Sequence, residues 1–184
     1  ASGASPAPLG RVRIITVAEL AASLPSVDVL DAREEKEFRA GHVPGSRHAD
    51  WRDYTLERAG AWNLLTGDPA RWGKVADPDA TLEARLRGLG LSNRRTVVVV
   101  GSAAGWGEEG RIAWNLLYWG ADDVALLDGG FPAWRAAGQA VETGTSKAPV
   151  GSFTVALRPA RRIERRDLEA AVAARSRPLL DART

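Results

Sequence analysis

The residues with chemical potential cluster in Gly101-Ser-Ala-Ala-Gly-Trp-Gly-Glu-Glu-Gly110, directly after the apolar run Thr96–Val100. Ser102 is the hydroxyl there, and a serine nucleophile needs a base to take its proton. Both histidines, His42 and His48, belong to an earlier segment with no acid placed to orient them, so Ser102 reads as a turn residue. Asp31 and Arg33 offer a charge pair that would tempt a charge-relay reading, and His42 in the loop Gly41-His-Val-Pro-Gly45 reads as a satisfied structural histidine. Gly101-x-x-x-Gly105-x-Gly107, with Asp122 further on, has the outline of a dinucleotide-binding turn. The strand lies too deep in the chain for that role, and Glu108 and Glu109 at the helix start oppose a pyrophosphate. Neither Tyr54 nor Tyr118 is followed by lysine at the Tyr-x-x-x-Lys spacing, so no cofactor is expected. The 184 residues contain no cysteine and no methionine, which removes thiolate chemistry. Two histidines six apart, without thiols, make no metal centre.

Composition narrows the class. With 45% hydrophobic and 26% charged residues, the chain is an ordinary globular protein with material for a core. No apolar run reaches the roughly 20 residues that span a bilayer, so no membrane partner is expected. The formal charge is only +2, and Lys36, Lys74 and Lys147 are the only lysines among 25 basic residues. Arginines interleaved with acids read as a solvated face and GC-rich, bacterial coding, with no nucleic-acid surface. Ala1–Pro8 is small and proline-bearing, so residues 1–10 read as a disordered arm. Such a start is what signal cleavage or methionine trimming leaves, with a lean to the periplasm over the cytoplasm.

The elements that must hold the loop follow from pattern. Thr16-Val-Ala-Glu19 is a capping box opening a short helix through Leu20 and Leu24. Val27–Asp31 predicts a strand, Arg33–Phe38 a helical turn, and Ser46–Asp50 a second short strand. Residues 51–76 lack periodicity and read as a surface excursion. Asp77-Pro78 predicts the cap and first turn of a helix carrying Leu82, Leu86 and Leu89. Thr96–Val100, a continuous β-branched run, predicts a strand buried on both faces. Arg111–Trp119 predicts a buried helix, Val124–Asp128 a core strand, and Gly129–Trp134 the turn into a helix ending near Gly138. This alternation predicts an α/β fold: an open, mostly parallel sheet with helices on both faces. Thr143–Pro149 shifts to linker composition, and Phe153–Leu157 predicts a further strand.

The end repeats the beginning. Glu19-Leu20 leads by a short helix to Val29-Leu-Asp-Ala-Arg33, and Asp167-Leu168 leads by an alanine-rich helix to Leu179-Leu-Asp-Ala-Arg183. Asp31 and Asp181 are 150 residues apart, a domain-sized period that suggests duplication. The expected organisation is a first domain over 11–142, a linker with a strand over 143–160, and the first helix and strand of a truncated second domain over 161–184.

Two stretches carry a resemblance. Val29-Leu-Asp-Ala-Arg-Glu-Glu-Lys-Glu-Phe-Arg-Ala-Gly-His-Val-Pro-Gly-Ser46 is similar to the first signature of rhodanese-like domains, and Val124-Ala-Leu-Leu-Asp-Gly-Gly-Phe-Pro-Ala-Trp134 to their later one. The likeness covers about residues 14–138, and the duplication resembles tandem thiosulfate sulfurtransferases, whose first domain is catalytically silent. In active members the cysteine follows the central strand; here that position is Gly101, which has no side chain to carry a persulfide. The resemblance implies a non-catalytic first half whose partner is a second, cysteine-bearing rhodanese-like domain acting on a small anionic sulfur donor. It implies motif roles for Asp31, Arg33, His42, Asp128, Gly129, Gly130 and Trp134, and nearby arginines that help admit the donor. Trp114, Trp119 and Trp134 read as core, whereas Trp62 and Trp72 lie in loops, as do Trp51 and Trp106, the candidates for contact with the second half. The competing readings are a scaffold module of the same fold and, further off, a dinucleotide-binding domain.

Overall fold

In the computed structural model, residues 11–55, 75 and 78–180 are described. Five strands form one sheet: β1 (Val12–Ile15), β2 (Asp28–Asp31), β3 (Arg47–His48), β4 (Val97–Val100) and β5 (Val124–Leu127), in the order β1-β5-β4-β2-β3. Every pairing is parallel. Among the described residues six α-helices accompany them: α1 (Val17–Ser23), α2 (Glu35–Ala40), α3 (Ala80–Gly88), α4 (Glu108–Trp119), α5 (Gly130–Ala136) and α6 (Arg165–Ala173).

Alternation along β4 explains the layering. Successive side chains of a strand point to opposite faces. Val97 and Val99 join Leu30, Val124, Leu82, Leu86, Ile112 and Leu116 in a core against α3 and α4. Val98 and Val100 join Val29, Ala125, Leu20, Phe131 and Trp134 in a second core against α1 and α5. All four valines are fully buried, as the β-branched run requires.

Thr16 Oγ1 accepts the Glu19 N–H at 3.3 Å while the Glu19 carboxylate accepts the Thr16 N–H at 2.7 Å, completing the expected capping box. That backbone bond, ahead of the Thr16 hydroxyl, holds the Glu19 carboxyl below its ordinary range. The cap of α3 is Asp79, whose carboxylate accepts the Leu82 N–H at 2.8 Å; Asp77 lies outside the described residues. α4 begins at Glu108, three residues before the expected Arg111, so both glutamates occupy its first turn. The edge strand β1 was not anticipated, because Val12 and Ile14 face solvent and give no strong apolar run.

Phe153–Leu157, expected as a strand, forms no strand and joins no sheet. Its backbone serves the helical layer instead. Ser152 and Phe153 N–H donate to the Leu91 carbonyl at 2.9 and 3.0 Å, and Ala156 and Arg158 N–H donate to Trp119 and Tyr118 carbonyls at 2.9 Å. Those last carbonyls of α4 have no partner within their own helix, so the segment caps it. Gly120 permits the approach: it ends α4 with φ 111°, and a Cβ there would lie 2.8 Å from the Ala156 carbonyl. Phe153 is fully buried in the α3/α4 core.

At the C-terminal edge of the sheet, Asp31 and Arg33 form a buried pair. The Arg33 guanidinium meets the Asp31 carboxylate at 2.6 and 3.0 Å, donates to the Gly41 carbonyl at 2.7 Å and stacks over Phe131 at 3.9 Å. The pair thus binds the end of β2 to the loop after α2 and to α5.

Two measurements test this account. Phe153→Ala should lower the free energy of urea unfolding by about 3–5 kcal/mol, the cost of an emptied aromatic site. Asp31→Ala, which leaves the Arg33 charge buried without its partner, should cost a similar amount, about 3–5 kcal/mol.

Candidate functional site

The strand ends β2 and β4 and the loops beyond them enclose a cavity of about 180 Å³. Parallel sheets place their sites at this edge. Gly101, the residue directly after β4, forms part of its floor. Its carbonyl accepts the Phe131 N–H at 3.0 Å, which holds the Asp128-Gly129-Gly130 turn against the loop. Gly130 has φ 58°, and a Cβ there would overlap the Gly101 carbonyl, so glycine is required for this approach. Asp128 is exposed, with its N–H donating to the Ile15 carbonyl at 2.9 Å. Trp134 is buried below, and its indole N–H donates to the Ala140 carbonyl at 2.8 Å.

The Glu109 side chain covers Gly101. A Cβ built on Gly101 would lie 2.5 Å from Glu109 Cδ and 2.8 Å from its Cγ, with the carboxylate oxygen Oε2 closer still. That oxygen is buried and has no hydrogen-bond partner among the described residues. Glu108 turns into the loop instead, accepting the Trp106 N–H at 2.9 Å. Ser102 Oγ accepts the Ala104 N–H at 3.4 Å, the local turn bond of a short polar residue. Neither histidine lines this cavity.

Five carboxylates, on Glu34, Glu37, Asp50, Glu108 and Glu109, line the cavity against two guanidiniums, on Arg33 and Arg52. Both arginines are engaged. Arg33 is held by Asp31, and Arg52 meets Glu34 at 2.7 Å and Asp50 at 2.9 Å. The Arg52 hydrogen bond holds the Glu34 carboxyl below its ordinary range. Their charge is thus committed to neighbouring carboxylates, and the wall of this cavity is acidic on balance.

The other sequence candidates lie apart from the floor. His42 is buried, stacks on Phe38 at 3.9 Å, and bonds through Nδ1 to the Phe38 carbonyl at 2.8 Å. His48 lies tilted by 40° against the same ring, with Nε2 at 2.8 Å from the Arg33 carbonyl. Asp122 sits at the far end of α4 and pairs with Arg158 at 2.6 Å, so the glycine loop lacks the acid that a dinucleotide turn would need beside it. Trp51 packs partly against the core, whereas Trp106 is 99% exposed. The two line a neighbouring cleft of about 310 Å³ with Arg52, Gly107, Glu108 and Arg111. Trp119 and Trp134 are fully buried and Trp114 partly so; Trp62 and Trp72 lie outside the described residues. Sequence reasoning missed Arg52 and Asp50, which belong to no motif, and Glu34 and Glu37, which lie within the first signature but were not singled out there. It flagged Glu109 by type, but starting the helix at Arg111 hid which atoms the carboxylate covers.

Among the described residues no group of His, Asp and Glu is arranged to hold a metal ion, and no helix is long and apolar enough to cross a membrane.

Comparison with known proteins agrees with this geometry. The model of the Rhodanese-like domain family matches residues 16–137. The chain is 34% identical to "Putative thiosulfate sulfurtransferase SseB" of Mycobacterium tuberculosis over 77% of its own length and 50% of the relative. It is 33% identical to "Probable 3-mercaptopyruvate sulfurtransferase" of Pseudomonas aeruginosa over 95% of its length and 63% of the relative. It therefore spans about half to two-thirds of the length of these curated relatives. The crystal structure of SseA from Escherichia coli, a 3-mercaptopyruvate sulfotransferase, superposes with a TM-score of 0.77 over 95% of this chain and 66% of that one, at 22% identity, and shows the same fold. With that family model matched over residues 16–137 and the glycine turn packed under the β4 loop as described, the chain belongs to the rhodanese-like domain family.

Proposed function

We propose that this chain is the non-catalytic first half of a tandem sulfurtransferase and supports a second rhodanese-like domain that bears the nucleophilic cysteine. The observation that carries the reading is Gly101: the residue that follows the central strand, where the family resemblance expects a nucleophile, has no side chain, and no cysteine exists elsewhere in the sequence. Between about a third and half of each relative's own length lies outside the match, which is room for such a domain.

In the proposed reaction, the partner's thiolate attacks the outer sulfur of thiosulfate or a related donor. A sulfur–sulfur bond forms, the bond to the donor's remainder breaks, and sulfite leaves with the electron pair. Cyanide or a thiol then takes the sulfane sulfur and releases the thiolate. The domain over 11–142 supplies a wall and a docking face, 143–160 is the linker, and 161–184 begins the second domain. Two features support that division. α6 buries none of its residues, leaving Leu168 and Val172 exposed, and Leu179 and Leu180 are exposed at 57% and 95%. In the first copy the counterpart of Leu168 is Leu20, which is fully buried. An apolar stripe of this kind is stable only when covered. Trp106 and Trp51, beside the cavity mouth, are assigned to the contact between the halves.

The isolated chain incubated with thiosulfate and cyanide should yield no thiocyanate above the buffer rate; enzymatic production would overturn the reading. Where a cysteine-bearing polypeptide copurifies, Trp106→Ala should weaken its association by about tenfold, the 1–2 kcal/mol of an interface aromatic. Unchanged affinity in titration calorimetry would remove Trp106 from the interface.

A further inference from the structure

We infer that Glu109 stands in the place of the nucleophile, so that the site is closed to sulfur chemistry a second time, independently of the missing cysteine. The inference deepens the non-catalytic reading and rests on Gly101 marking the nucleophile's position.

The backbone is not what excludes a side chain. Gly101 is absent from the residues with positive φ, so its conformation is open to any L-residue. The three heavy atoms nearest to a Cβ on Gly101 all belong to one side chain, and that side chain is Glu109. The neighbouring Gly130 is the opposite case, since its obstruction is the backbone carbonyl of Gly101. The strand end, the loop and the glycine turn thus retain a socket, and a glutamate from the first turn of α4 fills it.

Its chemistry is also wrong for sulfur. A carboxylate in contact with a thiol disfavours the thiolate, and Glu108, Glu34, Glu37 and Asp50 surround the same cavity with more negative charge. Arg33 and Arg52, the cations there, are already bound to carboxylates. A cysteine placed at position 101 would therefore meet an occupied socket and an unfavourable field. Without Glu109 it would stand free beside the N-terminus of a twelve-residue helix, which lowers a thiol's pKa.

The test uses the full chain and two readouts. In the first, Gly101→Cys and Gly101→Cys/Glu109→Ala are alkylated with iodoacetamide at pH 7. The double variant should react about tenfold faster, the effect of one unit in thiol pKa. In the second, Gly101→Ala is compared in the natural background and beside Glu109→Ala by thermal denaturation. The methyl should lower the melting temperature by about 3 °C when Glu109 is present and by less than about 1 °C when it is gone. The alanine pair keeps the inference testable if the cysteine variants fail to fold. Equal alkylation rates, or an equal cost of Gly101→Ala in both backgrounds, would overturn it. Thiocyanate production by the natural chain would instead overturn the non-catalytic reading and leave this comparison standing.

Discussion

Burial of Val97–Val100 on both faces is the constraint on which the rest of the structure depends. A strand enclosed in this way must sit inside a parallel sheet, flanked by strands and covered by helices on two sides. Its neighbours β2 and β5 are then fixed by register, with Asp31 opposite Val100 and Val124 opposite Val97. The chain can leave such a strand only at its C-terminal end, so the loop from Gly101 onward opens where β2 and β5 also end. Site and core are two consequences of one buried tetrapeptide.

Polar chemistry at that edge is organised for rigidity. The Asp31–Arg33 pair is buried, and its cation is bound again by a backbone carbonyl and an aromatic face. His42 contributes in the same sense, with its ring stacked on Phe38 and one nitrogen committed. Its backbone also exchanges both hydrogen bonds with Glu142, at 2.9 and 3.0 Å, which closes the body of the domain on itself. Of these groups only Arg33 borders the cavity, and its charge is already committed to Asp31, so it offers no unpaired cation to a reacting atom at the floor. Acid faces it instead.

Much of this was legible in the residues, for physical reasons that differ from place to place. The valine run, the capping box at Thr16 and the Asp-Gly-Gly turn are local, and each has one low-energy outcome. β1 was hidden because an edge strand with Val12 and Ile14 in solvent shows only a weak pattern. Phe153–Leu157 has the composition of a strand, yet its partners are helix-end carbonyls, a choice made by tertiary packing and not by propensity. The cavity wall was the least legible part. Arg52 and Asp50 share one turn, but Glu34 reaches them from the start of α2, 18 residues earlier, and no spacing rule links the two segments. Glu109 was visible as a charge, but a shift of three residues in the helix start decided that it reaches over Gly101.

The strap formed by Gly151–Arg158 gives α4 an unusual position. One end of that helix is gripped by the strap through the Tyr118 and Trp119 carbonyls, and the other end carries the carboxylates over Gly101. Twelve residues make a stiff rod of about 18 Å between them. Tension applied beyond Arg158 is thus loaded onto the tail of this rod before it reaches any strand, so the helix stands mechanically in series between the chain's later segment and the covered socket.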